Sequence, residues 1–250
     1  MKVIIQGMAV EYADEGKGRV ALFLHGWKDN LHTFDDITSL LSPSLRVIRV
    51  DLPGFGESET PATKWALVDY VRFVKALIDK LNINTDVLVG HSLGGRIVVK
   101  GVASKGLEVK KIVLISSAGV AQRKTLRNFF FIIVAKVGRV LTSVPPLSFL
   151  RQWLRRILYE SIGSDYLGAG ALRDTFLNII KENLTSVAKT ITMPALIIWG
   201  SGDTETPVID GRRLQSFIRD SSLHILPGAG HFVHKDKPEE VAELIREFTK

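Results

Sequence analysis

Leu88-Val89-Gly90-His91-Ser92-Leu93-Gly94-Gly95 is the stretch from which the rest of the chain can be read. Its Gly90-x-Ser92-x-Gly94 pattern describes a bend too sharp for ordinary side chains. A serine pushed out on such a bend sits in strained backbone, and its neighbours must be small or the turn clashes. The pattern carries chemistry only where a strand runs into it and a helix leaves it. Asp86 to Gly90 reads as a short strand and residues 93–104 as a helix. The plainer alternative, Ser92 as an ordinary helix N-cap, leaves the flanking glycines unexplained.

Working outward, Arg19-Val20-Ala21-Leu22-Phe23-Leu24 is a continuous apolar run, as expected of a strand buried on both faces, and it ends in His25-Gly26-Trp27. Residues 2–13 read as one or two short strands closed by a turn at 14–18. Residues 34–41 suggest a short helix. Arg46 to Asp51 is another strand, followed by the loop Leu52-Pro53-Gly54-Phe55-Gly56-Glu57-Ser58. Leu67, Tyr70, Val71, Val74, Leu77, Ile78 and Leu81 recur at spacings of three and four, which predicts a helix with one apolar stripe. Lys111 to Ile115 is a strand ending in Ser116-Ser117-Ala118-Gly119. Later come the strand Ala195–Trp199, a helix near 208–218, the strand Ser222–Leu226 and a final helix from Pro238 that buries Val241, Leu244, Ile245 and Phe248. Strands alternating with helices predict an α/β fold with a mostly parallel central sheet flanked by helices.

Residues 121–190 break the alternation. They read as all helical, divided by Pro145-Pro146. The expected organisation is a core of residues 1–120 and 191–250 with an inserted helical subdomain, 121–190, between its halves.

Composition narrows the classes. A chain of 250 residues, 46% hydrophobic and 24% charged, suits one large domain. It has no cysteine, which excludes disulfides, thiolate metal sites and a cysteine nucleophile. The N-terminal apolar run is too short for a signal peptide, and the longest apolar run, Phe129 to Ala135, falls far short of a membrane span. A cytoplasmic location is expected. The net charge of +7 lies in one segment: residues 121–190 hold eleven Lys and Arg against four Asp and Glu, and the remainder is neutral. There is no interleaved aromatic and basic pattern and no zinc-finger spacing, so nucleic acid is not an expected partner. No histidine pair has helical metal-ligand spacing, and no Gly-rich phosphate loop is present, so neither a metal nor a cofactor is expected.

The chain resembles the α/β-hydrolase family over nearly its whole length. The likeness rests on Gly90-x-Ser92-x-Gly94 and on four further matches in the family's order: His25-Gly26-Trp27, Asp51 to Ser58, Trp199-Gly200-Ser201-Gly202-Asp203 with Pro207 beyond, and Gly228-Ala229-Gly230-His231-Phe232. The resemblance implies an α/β-hydrolase fold and places residues 121–190 as a cap over the serine. It also implies a triad in the order Ser92, Asp203, His231. Ser92 is a weak nucleophile until a base takes its proton. Imidazole titrates near neutrality, so His231 can be that base, and Asp203 would fix its tautomer. The backbone N–H groups of Leu93 and Trp27 would form the oxyanion hole.

Each assignment has a rival in the chain. His234 competes with His231, which is favoured by its place after the Gly228–Gly230 turn, while His234 itself is expected in a loop or solvated. Glu205 and Asp210 compete with Asp203. Asp51 also ends a strand, but its loop is expected to close by local hydrogen bonds. Arg96 is expected on a helix surface, with the alternative that it faces a pocket.

In the insertion, Phe149, Leu150, Trp153, Leu154, Ile157 and Leu158 occupy one half of a helical wheel and Arg151, Gln152, Arg155 and Arg156 the other, a basic amphipathic helix. Either its apolar face roofs the pocket, or it docks on an anionic membrane. Both predict an apolar acyl or aromatic substrate.

The expected function is a serine hydrolase of carboxylic esters, an esterase or lipase-like enzyme working through an acyl-enzyme on a small-molecule ester. The alternatives are a carbon–carbon bond hydrolase or a pyruvate-eliminating lyase of the same fold on an anionic substrate, and a non-catalytic receptor.

Overall fold

Strands that are apolar throughout need cover on both faces, and the topology provides it. The structure, a computed structural model, describes residues 1–120 and 170–250. In chain order these form β1 (Lys2–Ile5), β2 (Met8–Glu15), β3 (Val20–Leu24), α1 (Asp35–Leu41), β4 (Arg46–Val50), α2 (Leu67–Leu81), β5 (Thr85–His91), α3 (Leu93–Ala103) and β6 (Lys111–Ile115). After the insertion come α4 (Arg173–Lys181), α5 (Thr185–Ala188), β7 (Ala195–Gly200), α6 (Val208–Phe217), β8 (Ser221–Leu226), α7 (Val233–Asp236) and α8 (Pro238–Thr249). Among the described residues the strands make one eight-stranded sheet in the order β1-β2-β4-β3-β5-β6-β7-β8. β2 pairs antiparallel with β1 and β4, and every other neighbouring pair is parallel.

The register puts Gly90 of β5 beside Leu24 of β3 and Leu114 of β6, near the middle of the sheet. Parallel strands deliver their carboxyl ends to one edge, where α/β proteins bind ligands. His25, Ser92 and Ser116 follow β3, β5 and β6 there, and the loops bearing Asp203 and His231 follow β7 and β8.

Helix boundaries follow local chemistry. α2 runs over the residues its stripe predicts. The Ala66 N–H at its start donates to Asp69 Oδ2 at 2.8 Å, and Asn82 ends it in the left-handed region (φ 49°). In α8, Val241 and Ile245 are fully buried, with Leu244 and Phe248 packed at the edge of the same cluster. That cluster joins α8 to Ile37 and Leu41 of α1 and to Phe23 of β3, whose ring meets Phe34 edge-on at 5.2 Å. Two short elements have no sequence signal: the 3-10 turn Leu31–Phe34 and α7.

Two compact units divide the chain, residues Met1–Val120 with Asn178–Lys250, and Ala121–Leu177. Residues 178–190, expected within the insertion, group with the first unit. The reason is polar anchoring: Leu184 N–H donates to the Gly119 carbonyl at 3.0 Å, and Lys100 of α3 pairs with Glu182 at 2.6 Å. The described part of the expected helical insertion holds a 3-10 turn at Gly170–Leu172, α4 and α5. The expected amphipathic helix at 149–158, the apolar run at 129–134 and the Pro145-Pro146 break lie outside the described residues. Among the described residues no helix is long and apolar enough to cross a membrane.

Candidate active site

Ser92 sits between β5 and α3 with φ 49° and ψ −106°. For a residue with a side chain this backbone costs about 1–3 kcal/mol and persists only where its surroundings over-determine it. They do so here. Ser92 N–H donates to the Ile115 carbonyl at 3.1 Å, and its own carbonyl accepts from Arg96 N–H at 3.2 Å and Ala118 N–H at 3.3 Å. The glycines are sterically required. A Cβ on Gly90 would lie 2.5 Å from the Gly94 carbonyl carbon and oxygen, and one on Gly94 would overlap the Leu24 carbonyl oxygen. Because that oxygen belongs to a central strand, it cannot yield. Gly94→Ala is therefore expected to destabilise the protein by about 3 kcal/mol, read as a lowered urea midpoint.

The candidate acid and base, Asp203 and His231, come from the loops after β7 and β8. A Cβ on Gly200 would press on the Ala229 and Gly230 carbonyls, and Gly202 N–H donates to Ala229 O at 2.8 Å, so the two loops are in direct contact. There His231 Nδ1 lies 2.9 Å from Asp203 Oδ2, both side chains buried. Asp203 Oδ1 accepts the Glu205 and Thr206 N–H groups at 2.9 and 2.8 Å, and Thr206 Oγ donates to Oδ2 at 2.7 Å. Burial pushes the Asp203 carboxyl up, but the hydrogen bonds from His231 and Thr206 outweigh it and hold the group below its ordinary range.

Thr206 was not singled out by sequence. Its Oγ also lies 3.2 Å from the Ser116 carbonyl and 3.2 Å from His231 Nδ1, and its own carbonyl accepts from the Trp199 indole at 2.6 Å. The available signal was a hydroxyl three residues after Asp203 and just before Pro207, a turn-closing position. Thr206→Val keeps the shape and removes the donor to Oδ2. It should cost about 1.5 kcal/mol near neutral pH. A carboxylate with a depressed native pKa contributes stability above its unfolded value, here the ordinary 3.8 of aspartate, and loses it as pH falls through the native value. The stability gap between wild type and Thr206→Val should therefore narrow below about pH 3.8, which urea melts across pH will measure.

The structure separates the histidines. His234 is wholly buried in α7, not in a solvated loop, because the unpredicted α7 turns it inward. Its Nε2 meets Thr33 Oγ at 3.0 Å, and burial, with Lys235 and His231 adding to it, pushes its pKa down to about 3. The imidazole on the Asp203 carboxylate is that of His231. His25 accepts the Leu52 N–H on Nε2 at 2.9 Å and donates from Nδ1 to the Gly26 carbonyl at 2.7 Å, with burial lowering its pKa. His91 donates from Nε2 to the His231 carbonyl at 3.1 Å, and burial holds its pKa well below the usual value. Its ring lies 4.8 Å from that of His231 and 4.6 Å from that of His234. His91 thus ties the residue next to Ser92 to the His231 backbone.

The remaining rivals fall into place by geometry. Asp210 is buried at the start of α6 and pairs with Arg213 at 2.9 Å. Asp51 accepts Leu31 N–H at 2.6 Å and Glu57 N–H at 2.7 Å, and its carbonyl accepts Ser58 Oγ at 2.7 Å. Glu205 is 63% exposed, and its Oε2 lies 3.6 Å from Nε2 of His231, the nitrogen opposite the one that meets Asp203. Arg96 is a correction: it is 7% exposed, not a surface residue. α3 is covered on nearly every side, and the guanidinium is tolerated there because Nη2 donates to the Ile179 and Glu182 carbonyls at 2.5 and 2.6 Å. Burial lowers its pKa to about 10.

Leu93 is the first residue of α3, a position whose N–H has no intrahelical acceptor. Gly26 packs on the serine: a Cβ placed on it would sit 3.4 Å from Ser92 Cβ. Trp27 follows directly, half-buried. Among the described residues no cluster of His, Asp and Glu could hold a metal ion.

The chain belongs to the alpha/beta hydrolase family, whose model matches residues 21–244. It is similar to the AB hydrolase superfamily protein YisY of Bacillus subtilis (strain 168), at 29% identity over 94% of this chain and 93% of that protein. It is also similar to a 2-hydroxy-6-oxononadienedioate/2-hydroxy-6-oxononatrienedioate hydrolase of Burkholderia vietnamiensis (strain G4 / LMG 22486), at 28% identity over 97% of this chain and 91% of the relative. Among solved structures, an esterase (EaEST) from Exiguobacterium antarcticum matches with a TM-score of 0.77 at 23% identity, covering 100% of this chain and 99% of that one, a likeness of fold.

Proposed function

We propose that this protein is a serine hydrolase that cleaves carboxylic esters of apolar acyl or aromatic substrates through an acyl-enzyme. The observation that carries the reading is the 2.9 Å contact of His231 Nδ1 with Asp203, tied through His91 to the strained Ser92. Ser92 Oγ attacks the ester carbonyl as its proton passes to His231 Nε2. The oxyanion is received by the N–H groups of Leu93 and Trp27, each such donor being worth roughly 3–4 kcal/mol in the transition state. The bond to the alcohol then breaks, and His231 returns the proton to the alcohol oxygen. Water, deprotonated by His231, attacks the acyl carbon and frees Ser92. Asp203 holds the Nδ1–H tautomer throughout.

A second reading, hydrolysis of a carbon–carbon bond, draws support from the name of the Burkholderia relative. Its substrate would be anionic and would want a cation. Arg96, the core's candidate, already donates to two carbonyls, which favours the ester.

A fluorophosphonate probe tests the proposal: the expected result is one adduct on the peptide carrying Ser92, with turnover of p-nitrophenyl esters. No adduct, together with turnover of a dienone acid, would overturn it. A panel of acyl chains from two to sixteen carbons then reads the pocket depth. Docking of residues 149–158 on an anionic membrane is a separable part of the proposal, and failure to float with anionic vesicles at low salt removes it.

A further inference from the structure

Glu205 takes no part in the chemistry above, yet its carboxylate stands beside the nitrogen that performs it. Oε2 lies 3.6 Å from His231 Nε2. The backbone that carries it is anchored: its N–H donates to Asp203 Oδ1 at 2.9 Å, and the next residue is held by three hydrogen bonds of its own. Among the described residues its one ion-pair partner is His231, so no Lys or Arg there neutralises it. Nε2 is the atom that hands the proton to the departing alcohol. That oxygen must come within hydrogen-bonding reach of Nε2, and so within about 6–7 Å of the Glu205 carboxylate. This is shorter than the Debye length of about 8 Å at physiological salt. A charge on the first few atoms of the alcohol therefore feels Glu205 directly, weakened by solvent because the side chain is largely exposed.

We propose that Glu205 sets the charge preference of the leaving-group side, favouring esters of cationic amino alcohols over esters whose alcohol part carries a carboxylate. The proposal rests on the ester-hydrolase reading and adds to it the class of alcohol. In the step concerned, the acyl C–O bond breaks, its electron pair stays on the alcohol oxygen, and the proton on Nε2 goes to that oxygen. Glu205 exchanges no proton. It acts on the charge carried by the rest of the alcohol.

The test uses the full chain and three butyrate esters of similar shape, with 2-(trimethylammonio)ethanol, 3,3-dimethylbutanol and 3-hydroxypropanoate as alcohols. In wild type kcat/KM should fall in that order. Glu205→Gln should lower the ratio of the cationic to the anionic ester about tenfold, and Glu205→Lys should lower it further. Raising NaCl to half molar should compress the wild-type ratio and leave that of Glu205→Gln nearly unchanged. Both substitutions sit on an exposed side chain and keep the backbone N–H on Asp203, and a wild-type thermal melt verifies their folding. A cation-to-anion ratio equal within twofold in wild type and both variants, with the neutral ester still turned over, overturns the role of Glu205 alone. Absence of turnover for all three esters in wild type, with no fluorophosphonate adduct on Ser92, overturns the ester reading and this proposal with it.

Discussion

Ser92→Ala is expected to lower kcat on a p-nitrophenyl ester by about 10⁶-fold, the scale on which serine hydrolases respond to loss of the nucleophile. The fold should survive. Alanine keeps the Cβ, and the bonds that fix the turn are made by the backbone: Ser92 N–H to Ile115, and its carbonyl to Arg96 and Ala118. What disappears is the hydroxyl oxygen proposed to bond to the acyl carbon. The proposed oxyanion donors, the N–H groups of Leu93 and Trp27, belong to the backbone, so they would persist and should leave a residual rate of about 10³–10⁴ over water. Steady-state kinetics with a thermal melt on the same sample will check this. A folded variant retaining more than about one-hundredth of the wild-type kcat would move the nucleophile elsewhere.

Asp203→Asn should cost about 10⁴-fold in kcat. The amide is nearly isosteric and its oxygen can still accept the Glu205 and Thr206 N–H groups. Its NH₂, however, turns toward His231 Nδ1 as a donor. That selects the tautomer with the proton on Nε2, which cannot accept a proton from Ser92. Glu205 cannot substitute, because it faces Nε2 at 3.6 Å and not Nδ1. The comparison with Glu205→Gln is the discriminating one: Asp203→Asn should lose at least about 100-fold more. The opposite order would make Glu205 the acid.

Much of this site was legible in the chain. The glycines around Ser92 announced a bend, and the steric reason proved to be the approach of Gly94 to Leu24 and of Gly90 to Gly94. His231 and Asp203 were readable from their positions after the last two strands, and the structure brings them together at 2.9 Å. Thr206 was not readable with equal force, because one hydroxyl in a loop has no periodicity to mark it. His234 and Arg96 were misplaced for a shared reason. Polar residues are mostly exposed, and that rule holds until a buried partner satisfies them. Thr33 partners Nε2 of His234, and the Ile179 and Glu182 carbonyls partner Nη2 of Arg96, although among the described residues His234 Nδ1 and Arg96 Nε stay buried without one. Those partners lie up to 201 positions away along the chain.

What the amino-acid order fixes is therefore the local material: apolar runs that must be covered, glycines where a Cβ cannot fit, and a serine, an acid and a histidine each placed just beyond a strand. Hydrophobic periodicity and steric exclusion act between near neighbours, so they can be read in one dimension. Which histidine meets the carboxylate, which arginine is buried, and which nitrogen of the imidazole Glu205 approaches arise from packing between loops far apart in the chain. Hydrogen-bond geometry and charge depend on distance in space, and here that distance was set when the parallel sheet brought the ends of β5, β7 and β8 to one edge.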